Sequence, residues 1–290
     1  MPLTLLLFVV AGTIVSLIGQ LDTHFFGIIL TDPELYFALM MSLGTSLISL
    51  IFALMIAIPS AWIMSQVQLP FQKFIDTILD LPMVLPPLVT GLSLLLLFNS
   101  QGIVSQLIPI ISQWIFSPIG IVIAQTYIAS SIMLRHARST FSALDSGYRL
   151  ARSTFSALDS GYRLARSTFS ALDSGYRLAR STFSALDSGY RLAAYNLGLS
   201  PLRTLINIEL PMCWRPILCG AILAWSRAIG EFGATLMLAG ATRFKTETLP
   251  MAVYLNIASG DFEIAVGASL WLLFISACLL FLLRTINRNI

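Results

Sequence analysis

Residues 264–283 read Ile-Ala-Val-Gly-Ala-Ser-Leu-Trp-Leu-Leu-Phe-Ile-Ser-Ala-Cys-Leu-Leu-Phe-Leu-Leu, with no charged side chain among them. A helix of about 20 apolar residues matches the hydrocarbon thickness of a bilayer, so this stretch reads as a membrane span. Comparable runs lie at about 3–20, 38–64, 77–98, 118–134 and 212–239. The whole chain is 57% hydrophobic and 11% charged, with a mean hydropathy of +0.84. This excludes a soluble globular domain and indicates an all-α polytopic membrane protein with about six transmembrane helices. The run at 118–134 is the shortest, because Pro118 and Gly120 limit it. The first run has no basic segment before it and no small-residue cleavage site, so it reads as a retained span.

Basic residues in short loops orient the spans. Lys73, Arg135, Arg203, Arg215, Arg284 and Arg288 fall on one side. Asp22, Asp32 and Glu34 fall on the other, with Arg243 and Lys245 as exceptions. Both termini and the segment 135–211 are therefore expected to be cytoplasmic, in a multi-pass protein of the cell membrane. The chain divides into spans one to four (1–136), an insert (137–192), a loop (193–211) and spans five and six (212–290).

The insert is a tandem repeat. Ala-Arg-Ser-Thr-Phe-Ser-Ala-Leu-Asp-Ser-Gly-Tyr-Arg-Leu occurs four times without change, from Ala137, Ala151, Ala165 and Ala179. Established repeat architectures use longer units whose copies diverge. Identity over 14 residues points to a recent tandem duplication, a recombinant origin or an assembly error. Each copy carries two Arg and one Asp, so three extra copies account for the whole formal charge of +3. The basic balance is thus no sign of nucleic-acid binding. Asp-Ser-Gly in each copy is expected to interrupt the helix, giving short helices folded back on one another.

The insert runs into Ala193-Ala-Tyr-Asn-Leu-Gly-Leu-Ser-Pro-Leu-Arg-Thr-Leu-Ile-Asn-Ile-Glu-Leu-Pro211. Two alanines keep a helix surface flat for close approach by another protein. Gly198 can take a positive φ and turn the chain, and Ser200-Pro201 can begin the next helix as N-cap and first residue. Leu202, Leu205 and Ile206 would give that helix one apolar face. A helix–turn–helix between two spans would show the same local features. The spacing Ala193-Ala194, Gly198, nine residues, Ile208-x-Leu210-Pro211 nevertheless resembles the coupling loop of ABC importer permeases. That pattern is Glu-Ala-Ala-x3-Gly-x9-Ile-x-Leu-Pro, and here Leu192 stands in place of its Glu.

Two further stretches carry chemistry. Asp80-Leu-Pro-Met-Val-Leu-Pro-Pro-Leu-Val-Thr-Gly91 places Pro82, Pro86 and Pro87 near a membrane face, where proline interrupts the backbone ladder. Ser226-Arg-Ala-Ile-Gly-Glu-Phe-Gly-Ala-Thr-Leu-Met-Leu-Ala-Gly240 puts Arg227 and Glu231 four apart inside a span. Such a pair is either a neutralising structural ion pair or part of an aqueous path. Both stretches are similar to signatures of the oxyanion permeases, closest to molybdate/tungstate permeases and next to sulfate/thiosulfate permeases.

That resemblance implies a translocation subunit rather than an enzyme. It implies a homodimer in membrane lipid, ABC ATPase subunits docked on a cytoplasmic coupling helix, and an extracytoplasmic oxyanion-binding protein. Ala193, Ala194, Gly198 and Pro211 are the expected ATPase-coupling residues; Arg227, Glu231, Thr235, Thr90, Pro86 and Pro87 are the expected path or gate. No catalytic, cofactor or metal residue is expected. Cys213, Cys219, Cys278, His24 and His136 match no metal or redox spacing, and no phosphate-binding loop is present. The chain ends soon after the last span, so no regulatory domain is expected on this subunit. A sulfate permease is the alternative within the class. A non-transporting membrane interaction protein with a cytoplasmic repeat arm is the alternative outside it.

Overall fold

The structure is a computed structural model that describes residues 2–19, 27, 31–67, 70–166 and 197–287, with residues 143–166 described as backbone. The described residues are mostly helical and contain no strand. The helices are α1 (Pro2–Ile18), α2 (Pro33–Gln66), α3 (Gln72–Val84), α4 (Pro87–Phe98), α5 (Ile103–Leu107), α6 (Pro118–Arg166), α7 (Pro201–Ile229), α8 (Gly233–Ala239), α9 (Leu249–Ser259) and α10 (Phe262–Asn287).

Among the described residues, five segments are long and apolar enough to cross a membrane: Pro33–Gln66, Pro87–Leu107, Pro118–Ser142, Pro201–Ile229 and Phe262–Ile286. These are spans two to six of the sequence reading. The first predicted span is α1, an apolar helix of 17 residues with no buried side chain. Exposed apolar faces on the spans follow from the medium, because lipid solvates them as well as protein does. Ile51, Met55, Phe274 and Phe281 are examples.

Three boundaries differ from the sequence reading. The run at 77–98 is two helices, because the chain extends at Leu85 and Pro86 between α3 and α4. Pro87 lacks an amide hydrogen and therefore suits the first position of a helix rather than its interior. The run at 212–239 is also two helices: α7 ends at Ile229 and α8 starts at Gly233. Hydropathy does not register that break, since the residues on both sides of it are apolar. Finally, α6 runs unbroken from Pro118 to Arg166 and passes through both Asp145-Ser-Gly147 and Asp159-Ser-Gly161. The expected interruption in the first two repeat copies is therefore absent. A glycine within a helix costs about 1 kcal/mol relative to alanine, too little to end one flanked by Ala, Leu and Arg. Those 49 residues would extend ~74 Å, more than twice the hydrocarbon thickness. The copies beyond Arg166 lie outside the described residues.

The chain forms two units. The first comprises Met1–Ala57, Phe71–Met133 and Cys219–Ile290. In it, Leu35, Ala38 and Leu39 of α2 pack with Leu249, Ala252 and Ala268. Leu94 of α4 packs with Ala124, Ile128, Ala234 and Leu238. Small residues at several of these contacts let backbones approach closely, which is how helices associate where lipid removes the hydrophobic drive. Buried hydroxyls add short ties: Trp225 Nε1 donates to Ser46 Oγ at 2.9 Å, and the Leu249 amide donates to Ser42 Oγ at 2.7 Å.

The second unit comprises Ile58–Pro70 and Leu134–Leu218. Ala137, Phe141, Thr204 and Leu205 are buried there. Trp62 Nε1 donates to Glu209 Oε2 at 2.7 Å, and Glu209 is 2% exposed.

Candidate functional site

The two helix breaks in the first unit, at residues 85–86 and 230–232, form the base of the site. An added Cβ at Gly233 would lie 2.7 Å from Pro87 Cβ and 3.0 Å from the Leu88 nitrogen. One at Gly91 would lie 2.7 Å from both Ala234 Cα and Met237 Cβ. Residue 87 therefore faces 233, and residue 91 faces 234 and 237. The helices α4 and α8 run parallel and start side by side, with glycine at each point of closest approach.

Parallel helix starts bring two positive dipole ends together, which is unfavourable unless a negative group lies between or beside them. Glu231 supplies that charge. It is 1% exposed, and its Oε1 accepts the Ala234 amide at 3.0 Å. Its Oε2 meets Arg227 Nη1 at 2.6 Å. The Arg227 side chain is 39% exposed, so the cation retains solvent access while the carboxylate does not. The pair forms across the end of α7, because Arg227 occupies its last turn and Glu231 lies just beyond it. Glu231 is thus both ion-pair partner and cap. The sequence spacing suggested the first role and concealed the second.

Thr90 and Thr235 are both buried and differ in chemistry. The Thr235 hydroxyl is within 3.0 Å of the Glu231 carbonyl and 2.8 Å of the Phe232 carbonyl, so it serves its own helix start. The Thr90 hydroxyl has no hydrogen-bond partner, although buried hydroxyls are normally satisfied. Pro86 is the N-cap of α4, Pro87 is its first residue, and both are exposed. The structure therefore assembles Pro86, Pro87, Thr90, Glu231 and Thr235 around one helix pair, with Arg227 attached through Glu231.

Of the expected coupling residues, Gly198 and Pro211 belong to the second unit. Ala193 and Ala194, with Leu192, lie outside the described residues. Gly198 has φ +79°, the left-handed conformation that its turn requires. Ser200 is the N-cap of α7 and Pro201 its first residue, as the sequence indicates. The predicted apolar face is divided: Leu205 is buried, whereas Leu202 and Ile206 are exposed. Between Leu205 and Glu209 the helix opens into a π turn, and the Leu210 amide reaches back to the Leu205 carbonyl. Pro211 explains this, since it lacks an amide hydrogen and its ring would crowd the Asn207 carbonyl in a regular helix.

A polar cluster that the sequence reading missed links the start of α2 to the segment 240–248 and to α9. Asn256 Nδ2 donates to Glu34 Oε1 at 2.6 Å, and Arg243 Nη2 donates to Asn256 Oδ1 at 3.0 Å. Arg243 Nη1 is 3.6 Å from Glu34 Oε2. The backbone amide of Phe244 donates to Glu247 Oε2 at 3.1 Å. Burial and the neighbouring Glu34 raise the Glu247 carboxyl from 4.5 to about 7. Acidic residues more than 200 positions apart gave no local signal.

Among the described residues no three His, Cys, Asp or Glu side chains are grouped as metal ligands. What the first unit does contain is a tightly keyed break in two spans with a buried, paired carboxylate. This arrangement places irregular backbone inside a membrane protein, which is tolerated only where protein or water covers it.

The family model described as "Binding-protein-dependent transport system inner membrane component" matches residues 167–290. An uncharacterized protein of Haemophilus influenzae is 79% identical over 98 residues, which cover 34% of this chain and 82% of that protein. The "Probable transport system permease protein NifC" of Clostridium pasteurianum is 29% identical over 262 residues, 90% of this chain and 77% of that protein. The "Molybdenum transport system permease protein ModB" of Escherichia coli K12 is 27% identical over 231 residues, 78% of this chain and 81% of that protein.

Proposed function

Because the chain belongs to the family of binding-protein-dependent transport system inner membrane components, we propose that it is the translocation subunit of an ATP-driven importer for molybdate or tungstate. The observation that carries the substrate class is the similarity to a molybdenum permease across 78% of this chain. The subunit itself performs no covalent chemistry. ATP hydrolysis belongs to separate ATPase subunits, and an extracytoplasmic binding protein delivers the anion. Two copies of this chain enclose the path, and both termini face the cytoplasm.

In this reading the segment around Gly198, together with Ala193, Ala194 and Pro211, docks on the ATPase. The positive φ of Gly198, which turns the chain ahead of α7, and the π turn before Pro211 support that role. ATP binding draws the two coupling segments together and the cavity opens outward; hydrolysis returns it inward. The path runs beside the α4–α8 pair. Exposed Pro86 and Pro87 flank it, the unsatisfied Thr90 hydroxyl is the polar group beside them, and Glu231 with Arg227 holds the broken spans in register. Weak contact suits passage, because a deep anion site would retain its cargo.

The test is ATPase coupling. The chain is co-expressed with its ATPase and reconstituted, and hydrolysis is measured with molybdate-loaded binding protein. Stimulation by molybdate over the empty binding protein is expected. Stimulation by sulfate instead would move the substrate assignment to sulfate. Failure of the chain to associate with any ATPase would favour a membrane interaction protein.

A further inference from the structure

We propose that Glu34 and Glu247 form a proton-binding site: one proton, shared between the two carboxyl groups, ties the 240–248 segment to the start of α2. Both residues are buried, Glu34 at 7% and Glu247 at 0% exposure. Three of the four carboxyl oxygens have counterparts. Glu34 Oε1 accepts Asn256 Nδ2, Glu34 Oε2 lies 3.6 Å from Arg243, and Glu247 Oε2 accepts the Phe244 amide. Glu247 Oε1 is buried and meets no donor. The Glu247 carboxyl as a whole has the carboxyl group of Glu34 as its hydrogen-bonding and charged neighbour. Two ionised carboxylates can only accept hydrogen bonds, so neither can satisfy the other. A proton on Glu247 supplies the donor that two carboxylates lack and removes one of two neighbouring like charges from a buried cluster.

The surrounding charges fit one proton. Arg243 is the cation of the cluster; its side chain is 41% exposed and also engages Asn256 and Ser259. It balances one carboxylate and leaves the second to be neutralised. Just before α2, Asp32 Oδ1 is occupied by the amides of Glu34 and Leu35. At the start of α10, Asp261 Oδ2 accepts Ser259 Oγ. Lys245 is exposed, and α9 contributes the neutral Asn256 and Ser259. A metal ion would require more oxygen donors than this pair offers. The Glu247 carboxyl, raised to about 7 by burial and by Glu34, exchanges this proton near neutral pH.

With the proton bound, the 240–248 segment is fastened to α2. Without it, like charges face each other and the fastening weakens. On the orientation proposed above, the site faces outward, so the tie responds to external pH. This last consequence rests on the transport reading; the proton site does not.

The test uses the full chain in lipid nanodiscs. Infrared difference spectra between about pH 5 and pH 9 should show a protonated-carboxyl band that disappears with a midpoint of about 7 and is missing in Glu247→Gln. A second measurement requires no variant: amide hydrogen exchange across 240–248, corrected for intrinsic rate, should quicken about tenfold between pH 6 and pH 8. A band unchanged in Glu247→Gln, no band titrating near neutrality, or pH-independent protection would overturn the proposal. Loss of uptake in a protein that keeps the band would count against the transport reading and leave the proton site standing.

Discussion

Gly91→Ala offers a direct view of how the two broken spans are keyed. The added methyl carbon would lie 2.7 Å from Ala234 Cα, 2.7 Å from Met237 Cβ and 3.0 Å from the Ala234 carbonyl oxygen. Carbon atoms are at ease at about 3.5–4.0 Å, so α8 must retreat by about 1 Å. Two of the three opposing atoms are backbone, and the third is a Cβ, so no rotamer change relieves the clash. Overpacking of this kind costs about 1–3 kcal/mol. The shift would also strain the Glu231 cap, because Ala234 carries the capped amide. Gly44→Ala is the control. Gly44 lies within α2, and an added Cβ there meets nothing within 4 Å. Relative to glycine, alanine in a helix gains about 0.5–1 kcal/mol. Denaturant unfolding of both variants in the same detergent should give opposite signs. Equal stability of the two variants would refute the parallel, glycine-keyed packing of α4 and α8.

Further outcomes follow from the same contacts. Glu231→Ala should destabilise by about 2–4 kcal/mol in detergent unfolding, since it removes a buried cap and leaves Arg227 unpaired. Arg227→Ala, which leaves the buried carboxylate without its counter-ion, should also destabilise, and a neutral result in either variant would discard the cap-and-pair account. Trp62→Phe removes the donor to Glu209 Oε2 and should cost about 1–3 kcal/mol by the same assay. The Glu247 carboxyl is higher in the folded chain, at about 7, than its ordinary 4.5. Its contribution to stability is therefore complete below pH 4.5 and lost as pH rises through 7, on the order of 3 kcal/mol in total. A thermal midpoint that stays flat over that window, with Glu247→Gln behaving identically, would contradict it. Deleting 151–192 removes three repeat copies and should leave assembly with the ATPase intact, measured by co-purification; loss of the complex would make the extra copies part of the docking surface.

The spans were legible because a bilayer demands long apolar helices, and five of the predicted runs correspond to segments long enough to cross. The break before Pro87 was signalled by paired prolines, although the sequence reading still joined the two halves. The break after Ile229 was not legible. Arg227 and Glu231 are spaced as on one continuous helix, and the flanking residues are apolar throughout. Only the Ala234 amide reaching back to Glu231 shows that the carboxylate closes a helix end. The first two Asp-Ser-Gly units misled in the opposite sense, since local turn chemistry is outweighed there by the helix formers on both sides. Backbone rules made the turn at Gly198 and the helix start at Ser200-Pro201 legible, although the Ser200 side chain makes no capping hydrogen bond. The π turn preceding Pro211 and the contact between Trp62 and Glu209 depend on tertiary proximity that spacing does not encode.

The central claim is transport, and uptake tests it most directly. Vesicles carrying the chain with its ATPase, supplied with binding protein and labelled molybdate, should accumulate the anion only when ATP is present inside with the ATPase. Unlabelled tungstate should compete and sulfate should compete poorly. No ATP-dependent accumulation of molybdate, tungstate or sulfate by a fully assembled complex would contradict the account.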